Sequence, residues 1–203
     1  INIMVYPFTD SQILGISTFP YSLKDFFLEG TQQVSASWIT LENLSFPYCI
    51  SINSSYIYEQ STDERINQND AAITLAHELG HYLGLRHVFS EGGTTSMCTD
   101  TDYCKDTPSY NRSEYEQWLN NLDKQNKYQL KDLAKRYSCE KGEYEAHNIM
   151  DYAYCFYNEI TLEQRKRIRH ILNYSPLIPG PKESRIDTRG VQDRLNLPIC
   201  IMK

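Results

Sequence analysis

The segment from His77 to His87 reads HELGHYLGLRH and constrains the fold of this chain more than any other stretch. His77 and His81 are four residues apart, a spacing that places two side chains on one face of an α-helix. Asp70 can cap the N-terminus of this helix, and Gly84 can adopt the left-handed backbone that ends it. The sequence therefore predicts a helix that begins after Asp70, ends at Gly84 and presents two imidazoles to one ligand.

A third imidazole follows this helix, because His87 stands three residues after Gly84. Three neutral imidazoles leave one position of a tetrahedral zinc ion open to water, which is the arrangement of catalytic zinc sites. Bound zinc lowers the pKa of that water to about 7, and the adjacent Glu78 can then accept its proton. We predict that His77, His81 and His87 bind Zn²⁺ and that Glu78 is the general base.

Length and charge limit the classes of partner. The 203 residues, 40% of them hydrophobic, can bury a core and favour one domain. A net charge of −6 offers no basic surface, so we expect no nucleic-acid partner. There is no run of about 18 apolar residues, so we expect no membrane span. Because the chain starts at Ile1, we interpret it as a processed or trimmed form that an N-terminal pro-segment could precede.

The six cysteines form no CxxC pair, which argues against a zinc ribbon and a thioredoxin-type redox site. An even number favours disulfides, which form in oxidising compartments. We therefore expect a secreted, periplasmic or cell-surface protein. The alternative is a cytosolic protein with six buried thiols.

Periodicity and composition predict the remaining elements. Residues 1–6 and 49–57 are rich in β-branched and aromatic residues, which favours strands, and a short helix is expected near 22–29. Capping-box patterns predict helices near 114–137 and 162–173.

Further motifs carry a resemblance to a known family. NIMDY, at 148–152, resembles the Met-turn of the metzincin peptidases. Within that clan the chain most resembles the pappalysins, which include ulilysin-like bacterial proteases, through CKDTP (104–108), HNIMDYAYC (147–155) and FYNEITLEQRKRIR (156–169). The resemblance covers roughly residues 70–172, and a weaker similarity lies at 13–20.

The resemblance implies an α/β (α+β) catalytic domain over 1–175. An upper subdomain, about 1–87, would contain a twisted mixed sheet and the zinc-binding helix. A smaller irregular lower subdomain, about 88–175, would lie below it, with substrate between the two. Met150 would form the hydrophobic floor under the zinc ligands. Prolines and a glycine make 176–203 an expected extended C-terminal tail.

Tyr152 lies two residues after Met150, where several metzincins place a tyrosine near the metal. Its hydroxyl could donate to the oxyanion that develops during hydrolysis. The alternative is a tyrosine that only packs in the core, since the chain has 16 of them.

Relatives also suggest a calcium site and two disulfides. Candidate oxygen ligands for Ca²⁺ are Asp100, Asp102, Asp106 and Thr107, although a solvated acidic loop explains them equally well. By analogy the bridges would be Cys98 with Cys139 and Cys104 with Cys155, which leaves the partners of Cys49 and Cys200 open. Two departures, an insertion between Thr107 and Cys139 and a short spacing from Tyr152 to Cys155, mean that the family's preference for basic residues is not carried over.

The predicted function is that of a zinc-dependent endopeptidase that hydrolyses protein or peptide substrates. A thermolysin-like enzyme would take its third ligand from a distant glutamate, which His87 makes unnecessary. The alternative from another class is a zinc-bearing inactive pseudo-protease that acts as a binding module. Such proteins normally lose the general base, whereas Glu78 is present.

Overall fold

A mixed β-sheet packed on one helix positions the residues predicted to bind the metal. The computed structural model describes residues 1–38, 40–43, 47–59, 69–91, 99–138, 140–178 and 199–202. The strands are β1 (Ile3–Tyr6), β2 (Gly15–Thr18), β3 (Tyr21–Leu23), β4 (Gln32–Val34), β5 (Ile50–Asn53), β6 (Lys135–Ser138), β7 (Gly142–Glu145) and β8 (Ile199–Met202). The α-helices are α1 (Ala71–Tyr82), α2 (Arg112–Asn120), α3 (Leu130–Leu133) and α4 (Leu162–Tyr174).

The main sheet has the strand order β1-β5-β2-β8. β1 runs parallel to β5, whereas β2 is antiparallel to both β5 and β8. All four residues of β5 are buried, and α1 packs against β5, β2 and β8. This mixed sheet and its helix confirm the α/β class predicted from the sequence.

Helix α1 confirms the helix predicted to begin after Asp70. The Asp70 carboxylate accepts a hydrogen bond from the Ala72 amide at 2.8 Å, as an N-cap does. The helix ends at Tyr82, and Gly84 follows with a φ of +88°. That left-handed conformation suits glycine and redirects the chain towards His87.

The strand predicted at 1–6 is confirmed by β1. The strand predicted at 49–57 is shorter than expected, because β5 ends at Asn53, whose side chain accepts from the Ser55 amide at 3.1 Å and begins a 3₁₀ turn. The helix predicted near 22–29 is wrong. Tyr21, Ser22 and Leu23 are all buried in β3 and pair in parallel with β4. Burial of three consecutive side chains suits a strand between packed layers, so tertiary packing overrides local helix preference here.

The long helix predicted near 114–137 is also wrong, because it divides into α2 and α3. Helix α2 begins after Asn111, whose side chain accepts from the Glu114 amide at 3.3 Å. Beyond its end, Asp123 accepts from the Gln125 amide at 2.9 Å, a local bond that competes with helix continuation. The predicted helix near 162–173 is confirmed as α4.

The described residues form three buried clusters. The first joins strand residues to α1 and α4, and includes Ile50, Tyr82 and Ile171. The second surrounds Met150 and Tyr152, and a small third cluster contains Cys155. None of the helices in the described parts of the chain is long and apolar enough to cross a membrane.

The segment predicted as an extended tail is packed at both of its described ends. Ile178 is buried in the first cluster, and residues 199–202 add β8 to the main sheet. Neither contact was predicted from the sequence. The predicted division into upper and lower subdomains stays a prediction.

Candidate metal centre

Three imidazoles converge at the end of α1 and just beyond it. The Nε2 atoms of His77, His81 and His87 lie 3.0 to 3.2 Å from one another. His77 and His81 are fully buried, and His87 is 6% exposed. Among the described residues these three form the group of His, Cys, Asp or Glu side chains that could hold a metal ion. We call them the metal centre.

The other ring nitrogens of the metal centre bond to oxygen acceptors. The Nδ1 atom of His77 lies 2.7 Å from the Ile149 carbonyl, and that of His81 lies 2.8 Å from the Leu85 carbonyl. The Nδ1 atom of His87 contacts the Glu91 carboxylate. A carbonyl or carboxylate oxygen only accepts, so each Nδ1 is the protonated donor and each Nε2 of a neutral ring presents a lone pair.

Burial favours these neutral rings. It lowers the pKa of His77 to about 4, against the opposing effect of the Ile149 carbonyl. Burial, reinforced by the neighbouring imidazoles, holds the pKa values of His81 and His87 well below the ordinary value. Neutral imidazole is the form that binds a metal.

The donor set fits zinc. Three lone pairs packed this closely repel one another unless a cation lies between them. A tetrahedral zinc ion with Zn–N bonds of about 2.0–2.1 Å places its nitrogens about 3.3 Å apart, close to the separations present here. Carboxylate and carbonyl partners on the outer nitrogens are the usual orienting groups of zinc-bound histidines.

Glu78 follows His77 on α1 and is completely buried. Its side chain lies against Gly15 of β2. A Cβ atom at position 15 would stand 2.6 Å from Glu78 Cγ and 2.9 Å from Oε1, closer than real Cβ contacts. The sheet therefore limits where the Glu78 carboxylate can lie, and only glycine leaves it room.

Met150 lies directly against α1, where the resemblance placed the floor of the metal site. A Cβ atom at Gly80, between two of the metal-centre histidines, would come within 2.3 Å of Met150 Sδ. The same turn supplies the Ile149 carbonyl that receives the His77 Nδ1–H bond. Residues 149 and 150 thus support the metal centre by hydrogen bonding and by packing.

Tyr152 is brought beside the metal centre, as predicted, and is 6% exposed. Its ring centroid lies 4.5 Å from that of His87 and 5.5 Å from that of His77. The Arg112 guanidinium lies over the Tyr152 ring, 4.5 Å from its centroid. The contribution of the Tyr152 hydroxyl to catalysis stays a prediction.

Two cavities adjoin these residues. One of about 250 Å³ is lined by Leu14, Tyr110, Tyr152 and other residues, and one of about 380 Å³ is bordered by His87 and Arg112. The buried metal centre therefore has open space on the sides of His87 and Tyr152.

Three residues near the centre were not predicted from the sequence. Glu91 receives the His87 Nδ1–H bond and pairs with Arg86 at 3.4 Å. Arg112 is the first residue of α2. Arg136, which is 1% exposed, lies 3.5 Å from the Asp151 carboxylate and donates to the Tyr152 carbonyl at 3.1 Å. Only Glu91 had a sequence signal, its spacing of four residues from His87.

The disulfide predicted between Cys104 and Cys155 is not formed. Both are buried free thiols, as is Cys49. Cys104 Sγ contacts the Asp102 carbonyl at 3.6 Å, whereas Cys155 Sγ donates to the Ala146 carbonyl at 3.2 Å, so the two thiols occupy different surroundings. Cys98 and Cys139 lie outside the described residues, as does their predicted bridge.

The three candidate aspartates each accept hydrogen bonds from the protein. Asp100 accepts from the Tyr103 amide at 3.1 Å, and Asp102 accepts from Thr107 Oγ1 at 2.7 Å. Asp106 accepts from the Glu163 amide at 2.9 Å, at the N-terminus of α4. These bonds give the aspartates a structural role. Calcium binding stays a prediction, which metal analysis tests.

Comparison with known proteins agrees with this geometry. A profile of the family described as pregnancy-associated plasma protein-A matches residues 38–173. Extracellular metalloproteases of Arthroderma benhamiae and Trichophyton verrucosum are each 37% identical over 108 residues, which cover 52% of this chain and 32% of the relative. An extracellular metalloprotease of Arthroderma otae is 32% identical over 171 residues, which cover 83% of this chain and 49% of the relative.

Among solved structures, mature mirolysin of Tannerella forsythia in complex with a cleaved peptide aligns with a TM-score of 0.46 and 22% identity, over 85% of this chain and 52% of that chain. The chain spans about a third to a half of the length of the curated relatives it matches. The family profile covers well over half of the 203 residues and includes the whole metal centre, which confirms the resemblance to pappalysins. The chain therefore belongs to the pregnancy-associated plasma protein-A family of peptidases.

Proposed function

We propose that this chain is the catalytic part of a zinc-dependent endopeptidase that hydrolyses peptide bonds in proteins outside the cell. The observation that carries the proposal is the set of three Nε2 lone pairs within 3.2 Å of one another, with the buried Glu78 carboxylate on the helix that carries two of them. The names of the fungal relatives, extracellular metalloproteases, support both the activity and the location.

His77, His81 and His87 would hold the zinc ion. Bound zinc supplies a Lewis acid that acidifies a water molecule and polarises the substrate carbonyl. The outer bonds to Ile149, Leu85 and Glu91 keep the three rings aimed at one point, so the ligands need little rearrangement when the metal binds.

Glu78 would move the proton. Its carboxylate accepts a proton from the attacking water while the water oxygen bonds to the peptide carbon. It then delivers that proton to the peptide nitrogen as the C–N bond breaks, which gives a carboxylic acid and an amine. The acid loses its proton to the amine, so the products are a carboxylate and an ammonium group. Gly15 keeps this carboxylate in place from the side of the sheet.

Tyr152 would stabilise the charge on the former carbonyl oxygen. That charge develops only as the carbon becomes tetrahedral, so a hydrogen bond from the phenol strengthens in the transition state and accelerates the reaction. The nearby rings of His87 and Phe89 hold the tyrosine at the metal centre.

Casein hydrolysis with and without a chelator tests the proposal. We expect the zinc-loaded chain to cleave casein at internal bonds, the chelator to abolish cleavage, and added zinc to restore it. Zinc binding without cleavage of casein or other denatured proteins would instead support the inactive binding module. Cleavage that persists after the metal has been removed would contradict a zinc-dependent mechanism.

A further inference from the structure

The outer edge of β2, beside Glu78, is covered by β8. Residues 199–202 pair antiparallel with β2, so that Met202 stands opposite Gly15 and Ile199 opposite Thr18. Gly15 is the residue against which the Glu78 side chain lies. β8 also contacts α1, the helix that carries Glu78. The chain therefore places one of its own extended segments immediately beside the residues proposed to cleave peptides.

An edge of this kind is where an extended peptide binds. The unpaired N–H and C=O groups of an edge strand accept any extended chain as a further strand, through main-chain hydrogen bonds that do not depend on sequence. A protease must also hold its substrate extended next to the general base. Without β8, the outer groups of Gly15–Thr18 would be the free edge next to Glu78.

We propose that residues 199–202 act as an intramolecular competitor of the substrate and occupy the strand position that an extended peptide takes on β2. This inference rests on the proposed peptidase function and adds a form of regulation to it. Substrate binds only when β8 leaves the edge. A partner, a cleavage or an extended substrate that displaces β8 activates the enzyme.

The strength of the competition between β8 and a free peptide follows from the covalent connection of β8 to the rest of the chain. A segment joined to the same chain has an effective concentration of about 1 mM when its linker can span the distance. If the isolated segment binds the edge with a Kd of about 0.1 mM, a free peptide binds about tenfold more weakly to the complete chain than to one without the segment. Loss of β8 should increase kcat/KM for protein substrates by a similar factor.

Binding of a free copy of the segment measures this competition directly. The probe is a fluorescein-labelled peptide with the sequence of residues 197–203 and the substitution Cys200→Ala. Zinc-loaded Glu78→Ala protein prevents hydrolysis of the probe, and anisotropy gives its Kd for the complete chain and for a chain that ends at Pro198. We expect about tenfold tighter binding to the shorter chain. Equal affinities would overturn the proposal.

A second variant keeps the chain complete. The N–H groups of neighbouring strand residues point to opposite edges, so only one of residues 200 and 201 directs its N–H towards β2. The double variant Cys200→Pro and Ile201→Pro therefore removes that N–H in either case. The pair Cys200→Ala and Ile201→Val retains both amides and is the matched control. We expect the proline pair to bind the probe like the shortened chain and the control to behave like the complete chain.

Two further measurements distinguish failure of the β8 proposal from failure of the proposed peptidase function. Loss of bound zinc from both the shortened chain and the proline pair would contradict the proposal, since β8 would then be an essential strand of the fold. With Glu78 intact, the shortened chain should hydrolyse casein with a kcat/KM about tenfold above that of the complete chain. If it binds the probe more tightly but cleaves no protein, the proposed function fails while the occupancy of the edge by β8 stands.

Discussion

Gly15 of β2 lies against the side chain of Glu78, so that a Cβ atom at position 15 would stand 2.6 Å from Glu78 Cγ. The two residues are 63 positions apart and belong to different layers of the fold. The contact links the main sheet to the carboxylate that we propose as the general base. A glycine with an ordinary strand conformation is therefore required here by space and not by its backbone angles.

Gly15→Ala should displace the Glu78 carboxylate without touching a metal ligand. We expect zinc to remain bound and kcat for casein to fall by about 10²-fold, as for a reacting group displaced by about 1 Å. Steady-state kinetics and metal analysis of the same sample check this. Ile16→Val, in the same strand, is the control and should leave both quantities unchanged. An unchanged kcat in Gly15→Ala would show that β2 does not position the base.

Glu91→Ala should weaken zinc binding, because Glu91 orients His87 and increases the basicity of its ring. Loss of such an outer partner typically raises the Kd of the metal by about 10–100-fold. Competition with a chromophoric chelator measures the affinity. Glu143→Ala, which removes a carboxylate paired with Lys135 on the β6–β7 hairpin, is the control. Equal zinc affinity in Glu91→Ala and the wild type would remove Glu91 from the metal centre.

Arg136→Ala should destabilise the protein by about 3–5 kcal/mol, because it leaves the buried Asp151 carboxylate without its cation. Arg136 also lies 3.6 Å from the centroid of the Tyr115 ring and bonds to the Tyr152 carbonyl. Urea denaturation of the zinc-loaded protein measures the loss. The double variant Arg136→Met with Asp151→Asn should recover a large part of it. A cost below about 1 kcal/mol for Arg136→Ala would contradict this role.

Tyr152→Phe should lower kcat more than it raises KM, because the hydroxyl is proposed to act on the transition state. Loss of one oxyanion donor costs about 10²–10³ in rate. Kinetics of the folded, zinc-loaded variant test this, with Tyr137→Phe as a control that removes an exposed hydroxyl bonded to Glu143. If Tyr152→Phe loses stability but keeps its kcat, Tyr152 is a packing residue.

The sequence predicted the parts of the site that depend on local geometry. His77, Glu78 and His81 share one helix, so helical periodicity and the Asp70 cap were sufficient to group them. His87 follows after a single glycine turn. Such short-range relationships follow from the spacing of residues along the chain.

The remaining parts depend on contacts between distant segments. Nothing in the sequence near Gly15 shows that Glu78 lies against it, and the burial of Arg136 beside Asp151 requires the β6–β7 hairpin to be in place. The pairing of cysteines 104 and 155 was inferred by analogy and was wrong, since spacing alone cannot determine connectivity. The pairing of β8 with β2 joins segments more than 180 residues apart.

Glu78→Ala removes the proposed base and leaves the three proposed zinc ligands intact, so it separates catalysis by Glu78 from zinc binding. We expect about one zinc ion per chain in both the wild type and the variant. A general base contributes about 10²–10⁴ to the rate, so kcat for casein should fall by that factor. Retained zinc with this loss of turnover would support the account. A Glu78→Ala protein that cleaves casein at nearly the wild-type rate would contradict it.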